Sequence, residues 1–254
     1  MGDVVAAWVH PTEVDASFMH SLLQVVAAEL LGQRRLTQWM PTRCGSGGLI
    51  AARNDTATAF LESGGEWLWW IDTDMGFAPE ALDRLLEAAD PDERPIIGGL
   101  CFASMEYAPD GMGGFRTEVV PALYQWHEAP DGRAGFVAWR NYPRDTLAEV
   151  AATGSAFVLI HRSALERIAD RFGAGRWYDR MVNPTTGQLL SEDLSFCARA
   201  RMVDIPVHVH TGIRTTHRKP RWVGEDDYAH PDGAGLSVTV DAADWEKWRP
   251  EPQE

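Results

Sequence analysis

The sequence is poor in positive charge. It has 23 Lys and Arg against 37 Asp and Glu, which leaves a formal net charge of -14 at pH 7. Binding to a nucleic-acid backbone depends on clustered Lys and Arg, so this balance argues against a nucleic-acid partner. A phosphorylated ligand would need a bridging cation.

Cysteine is also scarce. The three cysteines, Cys44, Cys101 and Cys197, show no C-x-x-C spacing. This pattern fits reduced thiols better than a disulfide framework or a zinc site. No segment approaches the roughly eighteen apolar residues of a membrane span, and no basic stretch precedes the first apolar run. We therefore expect a cytoplasmic protein without stable membrane insertion.

The remaining composition, 45% hydrophobic and 24% charged over 254 residues, is typical of a globular protein. Apolar runs and helical periods alternate along the chain, which predicts an α/β fold. Strands are predicted at residues 4–9, 36–40, 67–72, 95–101, 149–160 and 205–210, and helices at 16–31, 49–63, 79–89, 163–171 and 191–202. We expect one domain over residues 1–240 with an insertion at about 103–144, followed by a tail at 241–254.

Local signals suggest where several of these elements begin and end. Pro41 is expected to close the second strand, and Gly64 to end the second helix, as glycines commonly do. Ser163 is the expected cap of the fourth helix, and Thr211-Gly212 is expected to form a turn. Short strands around 122–127 and 135–142 are predicted inside the insertion.

The most informative stretch is Glu66 to Met75, where a Trp-rich apolar run stops at Asp72 and Asp74. Carboxyl ends of strands are where open α/β sheets bind ligands, and residues two apart on an extended chain point the same way. Carboxylate oxygens in that position suit Mg²⁺ or Mn²⁺. The plainer interpretation is that the two acids open a turn before the helix that follows Pro79.

Two further polar groups lie where elements begin or end. Glu192 and Asp193 open a helix, and His217 follows the last predicted strand. Taken singly, each has an ordinary explanation: first-turn acids complement the helix dipole, and a histidine among Arg214, Arg218 and Lys219 suits a surface loop. Their order along the chain suggests that they have a functional role.

Taken in order, the clusters resemble the A-type fold (GT-A) glycosyltransferases, which use nucleotide-sugar donors. The matching segments span nearly all of the chain up to His217. They are Pro11-Thr12, Ala52-Arg53-Asn54, Ile71-Asp72-Thr73-Asp74 as the D-x-D motif, Ala152-Thr153-Gly154-Ser155, Ser191 to Cys197, and His217. The resemblance implies a single Rossmann-like domain with a mixed, mostly parallel sheet flanked by helices.

The resemblance also implies roles for individual residues. Nucleotide-sugar contacts would come from Pro11, Thr12, Arg53, Asn54, Asp72, Thr73 and Gly154, with Pro11 and Thr12 near the base. Metal ligands would be Asp74, His217 and Asp72, holding Mn²⁺ or Mg²⁺. Glu192 or Asp193 would face the acceptor, and Asp193 is favoured as the general base. The donor would be UDP- or GDP-linked and the acceptor a glycan, protein or small molecule; inversion and retention both stay open.

Other functions compete with this interpretation. A haloacid-dehalogenase-type phosphatase would carry its D-x-D on the first strand, whereas here two strand–helix units come before it. A nucleotidyltransferase would have a Gly-rich basic loop after the first strand, which Val9 to Glu13 lacks. A non-catalytic nucleotide-sugar or carbohydrate binding protein would retain the same pocket.

Nearby histidines and tryptophans offer further candidates. His208 and His210 share one face of a predicted strand and resemble a ligand pair, but that strand is expected to run before the crevice. Trp67, Trp69 and Trp70 are expected in the core, while the candidates for lining an acceptor groove are Trp126, Trp139, Trp177 and Trp222. The loop 218–235 is expected to close over the donor and to bring Arg218, Lys219 or Arg221 to the diphosphate.

Overall fold

A computed structural model describes residues 3–109 and 115–219, all of which belong to one unit of the chain, residues 1–220. The predicted boundary at residue 240 and the tail lie outside the described residues. The strands are β1 (Val4–His10), β2 (Leu36–Arg43), β3 (Trp67–Ile71), β4 (Met75–Gly76), β5 (Ile96–Leu100), β6 (Phe102–Pro109), β7 (Phe115–Pro121), β8 (Leu123–Glu128), β9 (Ala134–Ala138), β10 (Leu147–Val150), β11 (Ala152–Thr153), β12 (Phe157–His161), β13 (Val207–Arg214) and β14 (Thr216–His217). The helices are α1 (Ala16–Leu31), α2 (Gly48–Ser63), α3 (Ala81–Ala88), α4 (Arg162–Phe172) and α5 (Glu192–Met202).

Seven strands form the central sheet, in the order β10-β13-β5-β12-β3-β1-β2. Five of them, β1, β2, β3, β5 and β13, run in one direction, because only β10 and β12 pair antiparallel with their neighbours. The predicted α/β fold with a mixed, mostly parallel sheet is confirmed. This arrangement brings the carboxyl ends of five strands to one edge.

The Trp-rich strand β3 lies inside this sheet with both faces covered. Side chains alternate between the faces of a strand, so Trp70 packs on one side with Tyr178, while Trp69 packs on the other with Phe157. All five residues of β3 are buried, which explains the continuous apolar run. The prediction that its tryptophans belong to the core is confirmed.

The local signals were only partly reliable. Gly64 ends α2 at φ +79°, as predicted, in the left-handed region that glycine adopts without strain. Pro41 does not close β2, which continues to Arg43. β2 is an edge strand paired with β1, and edge strands are where a sheet tolerates proline.

The predicted strand at 149–160 is wrong, because the chain there divides among three strands. β10 pairs with β13 and β12 with β3 and β5 in the central sheet, whereas β11 pairs with β8 in a separate three-stranded sheet. The cap of α4 is also not Ser163. His161 is the cap, and its Nδ1 accepts from the Ser163 backbone N–H at 3.3 Å.

The insertion contains more strands than expected. β6 and β7 pair antiparallel, and β8 and β9 form a second antiparallel pair. The last predicted turn is absent, since Thr211-Gly212 lies within β13. A Cβ at Gly212 would come within 2.8 Å of the Arg84 guanidinium, which would have to shift. Over the described ranges, no helix combines the length and apolar character needed to span a bilayer.

Candidate metal centre and neighbouring carboxylates

The polar residues singled out in the sequence gather where the parallel strands end. Asp72 follows β3 directly, and its backbone N–H donates to Ala156 O at 2.8 Å. After β13 the chain turns back as β14, which pairs with β4 so that His217 lies opposite Met75. The backbone N–H of Arg218 then donates to Asp74 O at 2.9 Å. This short pairing brings His217 to the two aspartates.

Asp72, Asp74 and His217 form a compact cluster. Each offers one ligand atom, and these atoms all lie within 4.8 Å of one another. Nε2 of His217 is 3.0 Å from Oδ1 of Asp74. Two adjacent ligand atoms each about 2.1 Å from one ion lie about 3 Å apart, so this spacing suits a small divalent cation.

The hydrogen bond of the His217 ring also fits a metal site. Nδ1 lies 2.9 Å from the carbonyl oxygen of Phe102, which can only accept, so Nδ1 donates to it. Nε2 is buried and lies 3.0 Å from Oδ1 of the Asp74 carboxylate. Two acceptors that face each other need a proton or a cation between them. The residues present therefore fit a divalent metal, with Phe102 orienting the imidazole.

Asp74 is strongly biased towards its ionised form. Burial acts to raise its pKa, but hydrogen bonds with His217 and Lys219 outweigh burial and lower the pKa to about 2. Lys219 Nζ lies 2.8 Å from Asp74 Oδ2. Asp74 thus stays a carboxylate throughout the physiological pH range, as a metal ligand must.

This lowered pKa predicts how the metal-free protein responds to acid. A carboxylate whose pKa falls on folding stabilises the native state above its unfolded pKa near 3.8 and loses that contribution as pH falls towards 2. In urea unfolding, we expect the stability difference between wild type and Asp74→Asn to shrink by about 1–2 kcal/mol between pH 5 and pH 2. A difference that stays constant over this range would contradict the Asp74 contacts.

Arg53 connects the D-x-D motif to the rest of the crevice. It is buried on α2 and donates to Asp72 Oδ1 at 2.9 Å and to Ser155 O at 3.4 Å. Its guanidinium lies 5.5 Å from the ring centroids of both Trp70 and Tyr178. Burial acts to lower its pKa, but Asp72 and other nearby acids raise it overall, so the group stays charged.

Asn54, the neighbour of Arg53, has its amide engaged inside the protein. Its Oδ1 accepts from the Tyr178 backbone N–H at 2.9 Å, and its Nδ2 donates to Asp179 Oδ1 at 2.9 Å. It holds the segment that leads towards α5.

Glu192 and Asp193 open α5, which Ser191 caps. Asp193 Oδ1 accepts from the Ser191 hydroxyl, while its Oδ2 faces Gly154, where a Cβ would approach to 3.5 Å. Burial, together with the negative charge of Asp193, raises the pKa of Glu192. Arg53 opposes this rise and Asp72 adds to it, so the α5 acids and the D-x-D residues act on one another electrostatically.

A cleft of about 360 Å³ opens beside the cluster. Its lining includes Pro11, Asp72, Thr73, Asp74 and Arg218. Thr12 is exposed and does not line it. The cleft thus contains some of the expected donor-side residues, and it is not lined by the others, Thr12, Arg53, Asn54 and Gly154.

Several other candidates lie elsewhere. His208 and His210 are not in the cluster: His208 pairs with Ile97, near the start of β5 and away from the site edge. Trp177 cannot line a groove, because it is fully buried with its indole N–H donating to Leu165 O at 2.8 Å. Trp222, Arg221 and most of the loop 218–235 lie outside the described residues.

Two features that build the cluster were not predicted from the sequence. The Phe102 carbonyl that orients His217 is a backbone group, which no motif marks. The two-residue strands β4 and β14 are too short to show a period. Neither had a signal that sequence reasoning could have used.

Comparison with known proteins supports the fold only. No family model and no curated protein matches the chain. Among solved structures, the crystal structure of GalNAc-T7 with UDP, GalNAc and Mn²⁺ matches with a TM-score of 0.51 and 12% identity, over 85% of this chain and 44% of that one. The crystal structure of A197 from STIV matches with a TM-score of 0.49 and 14% identity over 86% of each chain. The chain therefore has a GT-A-like fold, with a cluster of acids and histidine suited to a metal at the carboxyl edge of its sheet.

Proposed function

We propose that this protein is a metal-dependent glycosyltransferase that moves a sugar from a nucleotide-diphosphate sugar to an acceptor hydroxyl. The observation that carries this proposal is the cluster of Asp72, Asp74 and His217, with Nε2 of His217 3.0 Å from Asp74, beside an open cleft at the ligand-binding edge of a GT-A-like sheet. The cytoplasmic location stays a prediction from the sequence.

On the donor side, Asp72, Asp74 and His217 would hold Mn²⁺ or Mg²⁺. When bound, such a cation acts as a Lewis acid that stabilises charge on the leaving diphosphate. In the structure, Lys219 donates to Asp74. A cation bound at Asp74 would free the Lys219 ammonium to move towards the phosphates, together with Arg218. The similar structure of GalNAc-T7 was solved with UDP, GalNAc and Mn²⁺, which supports a UDP-linked donor here, with a GDP-linked donor as the other candidate.

The other donor contacts follow from position. Pro11 and Thr73, which line the cleft, and Thr12 at its margin would contact the nucleoside. Arg53 would keep Asp72 in place beside the sugar. For Asn54, the internal hydrogen bonds support a positioning role towards Tyr178 rather than direct contact with the nucleotide.

On the acceptor side, the acids of α5 would remove the proton of the attacking hydroxyl. Asp193 keeps Oδ2 beside Gly154, the residue expected to contact the nucleotide-sugar. Glu192 has a raised pKa, which also suits proton transfer near neutral pH. We assign Asp193 as the general base, and Glu192 would line the same crevice.

A panel of nucleotide-sugars tests this proposal directly. A ligand that binds only the native state at 100 times its Kd adds about 2.7 kcal/mol of stability, so the matching donor with Mn²⁺ should raise the Tm by roughly 5–10 °C. Excess chelator should abolish most of this shift. Slow release of free sugar in the presence of Mn²⁺ would show turnover.

The controls separate the competing functions. Stabilisation by a donor without any hydrolysis or transfer would identify a non-catalytic binding protein. Equal stabilisation in chelator and in Mn²⁺ would remove the metal from the proposal. If none of the nucleotide-sugars stabilises the protein, the proposal fails.

A further inference from the structure

Lysine is rare in this chain, and one lysine lies at the candidate metal centre. Of the 23 Lys and Arg residues, only two are lysines, Lys219 and Lys247. Arginine presents a rigid fork of donors that suits fixed ion pairs, whereas lysine carries a compact charge on a flexible four-carbon stem. A lysine beside the metal ligands therefore suits a counter-ion that can exchange its partner.

Both carboxylate oxygens of Asp74 are already engaged. Oδ1 lies 3.0 Å from Nε2 of His217, and Oδ2 accepts from the Lys219 ammonium at 2.8 Å. A divalent cation that binds Asp74 needs at least one of these oxygens, and it repels an ammonium held on the same carboxylate. The cation and the ammonium therefore compete for Asp74.

Asp72 also has a cationic partner, but that partner is fixed. Arg53 donates to Asp72 Oδ1 at 2.9 Å and to Ser155 O at 3.4 Å, and its side chain is only 3% exposed. The Lys219 side chain is 37% exposed, and Asp74 is the only hydrogen-bond partner of its ammonium among residues 3–109 and 115–219. Of these two side-chain cations, Lys219 is therefore the one that a metal ion would displace.

The backbone keeps Lys219 at the site even when its ammonium leaves Asp74. The preceding residue, Arg218, donates its N–H to Asp74 O at 2.9 Å, and its guanidinium pairs with Asp15. Arg218, Asp15 and Asp74 all line the cleft beside the metal centre. A displaced ammonium therefore stays at the rim of this cleft, where the phosphates of a bound donor would provide a new partner.

We propose that Lys219 couples the two ligands of the site. Its ammonium opposes a divalent cation that binds alone, and it favours a cation that binds together with a phosphorylated ligand, because the phosphates take over the ammonium. The inference rests on the proposed function, since it places a nucleotide-diphosphate donor in the cleft. Coupling between two ligands typically changes affinity by about 5–150-fold, and we expect a change of about tenfold here.

Mn²⁺ titration of Lys219→Gln tests the competition without any donor. If the ammonium opposes the cation, the variant should bind Mn²⁺ about tenfold more tightly than wild type, measured by the spin resonance of free Mn²⁺. A merely structural role for Lys219 would give a loss of affinity or no change. Lys219→Arg keeps the charge, so its Mn²⁺ affinity should stay at or below that of wild type.

Arg214→Gln is the matched control for the change of charge. Arg214 is 65% exposed and pairs with Asp145 rather than with the metal ligands. Its replacement removes the same unit of charge from a chain of net charge -14 and should leave Mn²⁺ affinity near wild type. A gain of equal size in Arg214→Gln would show that the effect is not specific to Lys219, and it would overturn the inference.

Acetylation of lysine follows the ammonium directly. With an amine-reactive reagent and mass spectrometry, Lys219 should react slowly in excess chelator, faster in Mn²⁺ alone, and slowly again in Mn²⁺ with UDP. Lys247 provides the internal reference in every sample. A rate at Lys219 that Mn²⁺ leaves unchanged would contradict displacement, and a rate that stays high with UDP would contradict transfer of the ammonium to the phosphates.

The outcomes separate this inference from the function itself. Unchanged or weaker Mn²⁺ binding in Lys219→Gln overturns the coupling and leaves the metal centre and the glycosyltransferase proposal standing. Mn²⁺ binding by Lys219→Gln but not by wild type supports the competition in its strongest form. Absence of Mn²⁺ binding in both proteins removes the metal from the proposed function and overturns the inference with it. Tighter Mn²⁺ binding in Lys219→Gln, without stabilisation of wild type by any nucleotide-sugar, overturns the coupling to a donor together with the proposed function.

Discussion

Asp74→Asn and Asp193→Asn should fail in different assays. Asp74→Asn should lose most Mn²⁺-dependent donor binding, because the amide cannot supply the charge that now draws both His217 and Lys219 to this position. Asp193→Asn should bind donor almost normally and transfer sugar about 10²-fold more slowly or worse, because it loses the proton acceptor for the hydroxyl. Calorimetry with donor and a transfer assay, run on both variants, measure the two effects.

Asp131→Asn is the matched control for this pair. Asp131 is an exposed aspartate whose ion pair with Arg133 lies outside the site, so its loss should leave both assays near wild type. If Asp193→Asn loses donor binding instead, its position beside the acceptor is wrong. Glu192→Gln belongs in the same series: if it, rather than Asp193→Asn, abolishes transfer, the base is Glu192.

His217→Ala should reduce Mn²⁺ affinity by about 10²-fold. Loss of a residue that only orients a metal ligand already costs up to about 10²-fold, and loss of a ligand itself should cost at least as much. His217 is the imidazole in the cluster, and the Phe102 carbonyl keeps its Nε2 aimed at Asp74. Direct titration with Mn²⁺, followed by calorimetry or by the spin resonance of free Mn²⁺, measures this change.

His208→Ala provides the comparison for His217. Burial lowers the pKa of His208, so its imidazole is largely neutral at pH 7, yet it lies near the start of β13 and away from the aspartates. Its removal should leave Mn²⁺ affinity unchanged. The opposite pattern, with His208 required and His217 dispensable, would refute the metal centre described here.

Both predictions depend on how the fold joins residues that are distant in sequence. Asp72 and Asp74 are adjacent to β3 and were found by a local pattern, whereas His217 reaches them only through the pairing of β14 with β4. The orientation of its ring is set by the Phe102 carbonyl, in yet another strand. A substitution that disturbs β14 should therefore resemble His217→Ala in Mn²⁺ titration.

The sequence by itself determined the features that depend on neighbouring residues. The apolar run of β3 predicted a doubly covered strand, helical periodicity predicted α1 with its observed bounds, and Gly64 marked the end of α2. The acids at the end of β3 marked the edge of the sheet where ligands bind. These features are readable because periodicity, backbone propensity and capping act over a few residues.

Only the tertiary structure decided which of these residues meet. Trp177, which a loop position had suggested for a groove, is inside the core, and the expected strand at 149–160 is divided between two sheets. His217, rather than His208 or His210, reaches Asp74 because strand order and register place it there. Strand order and register arise from burying the whole set of apolar faces at once, and no local pattern contains that information.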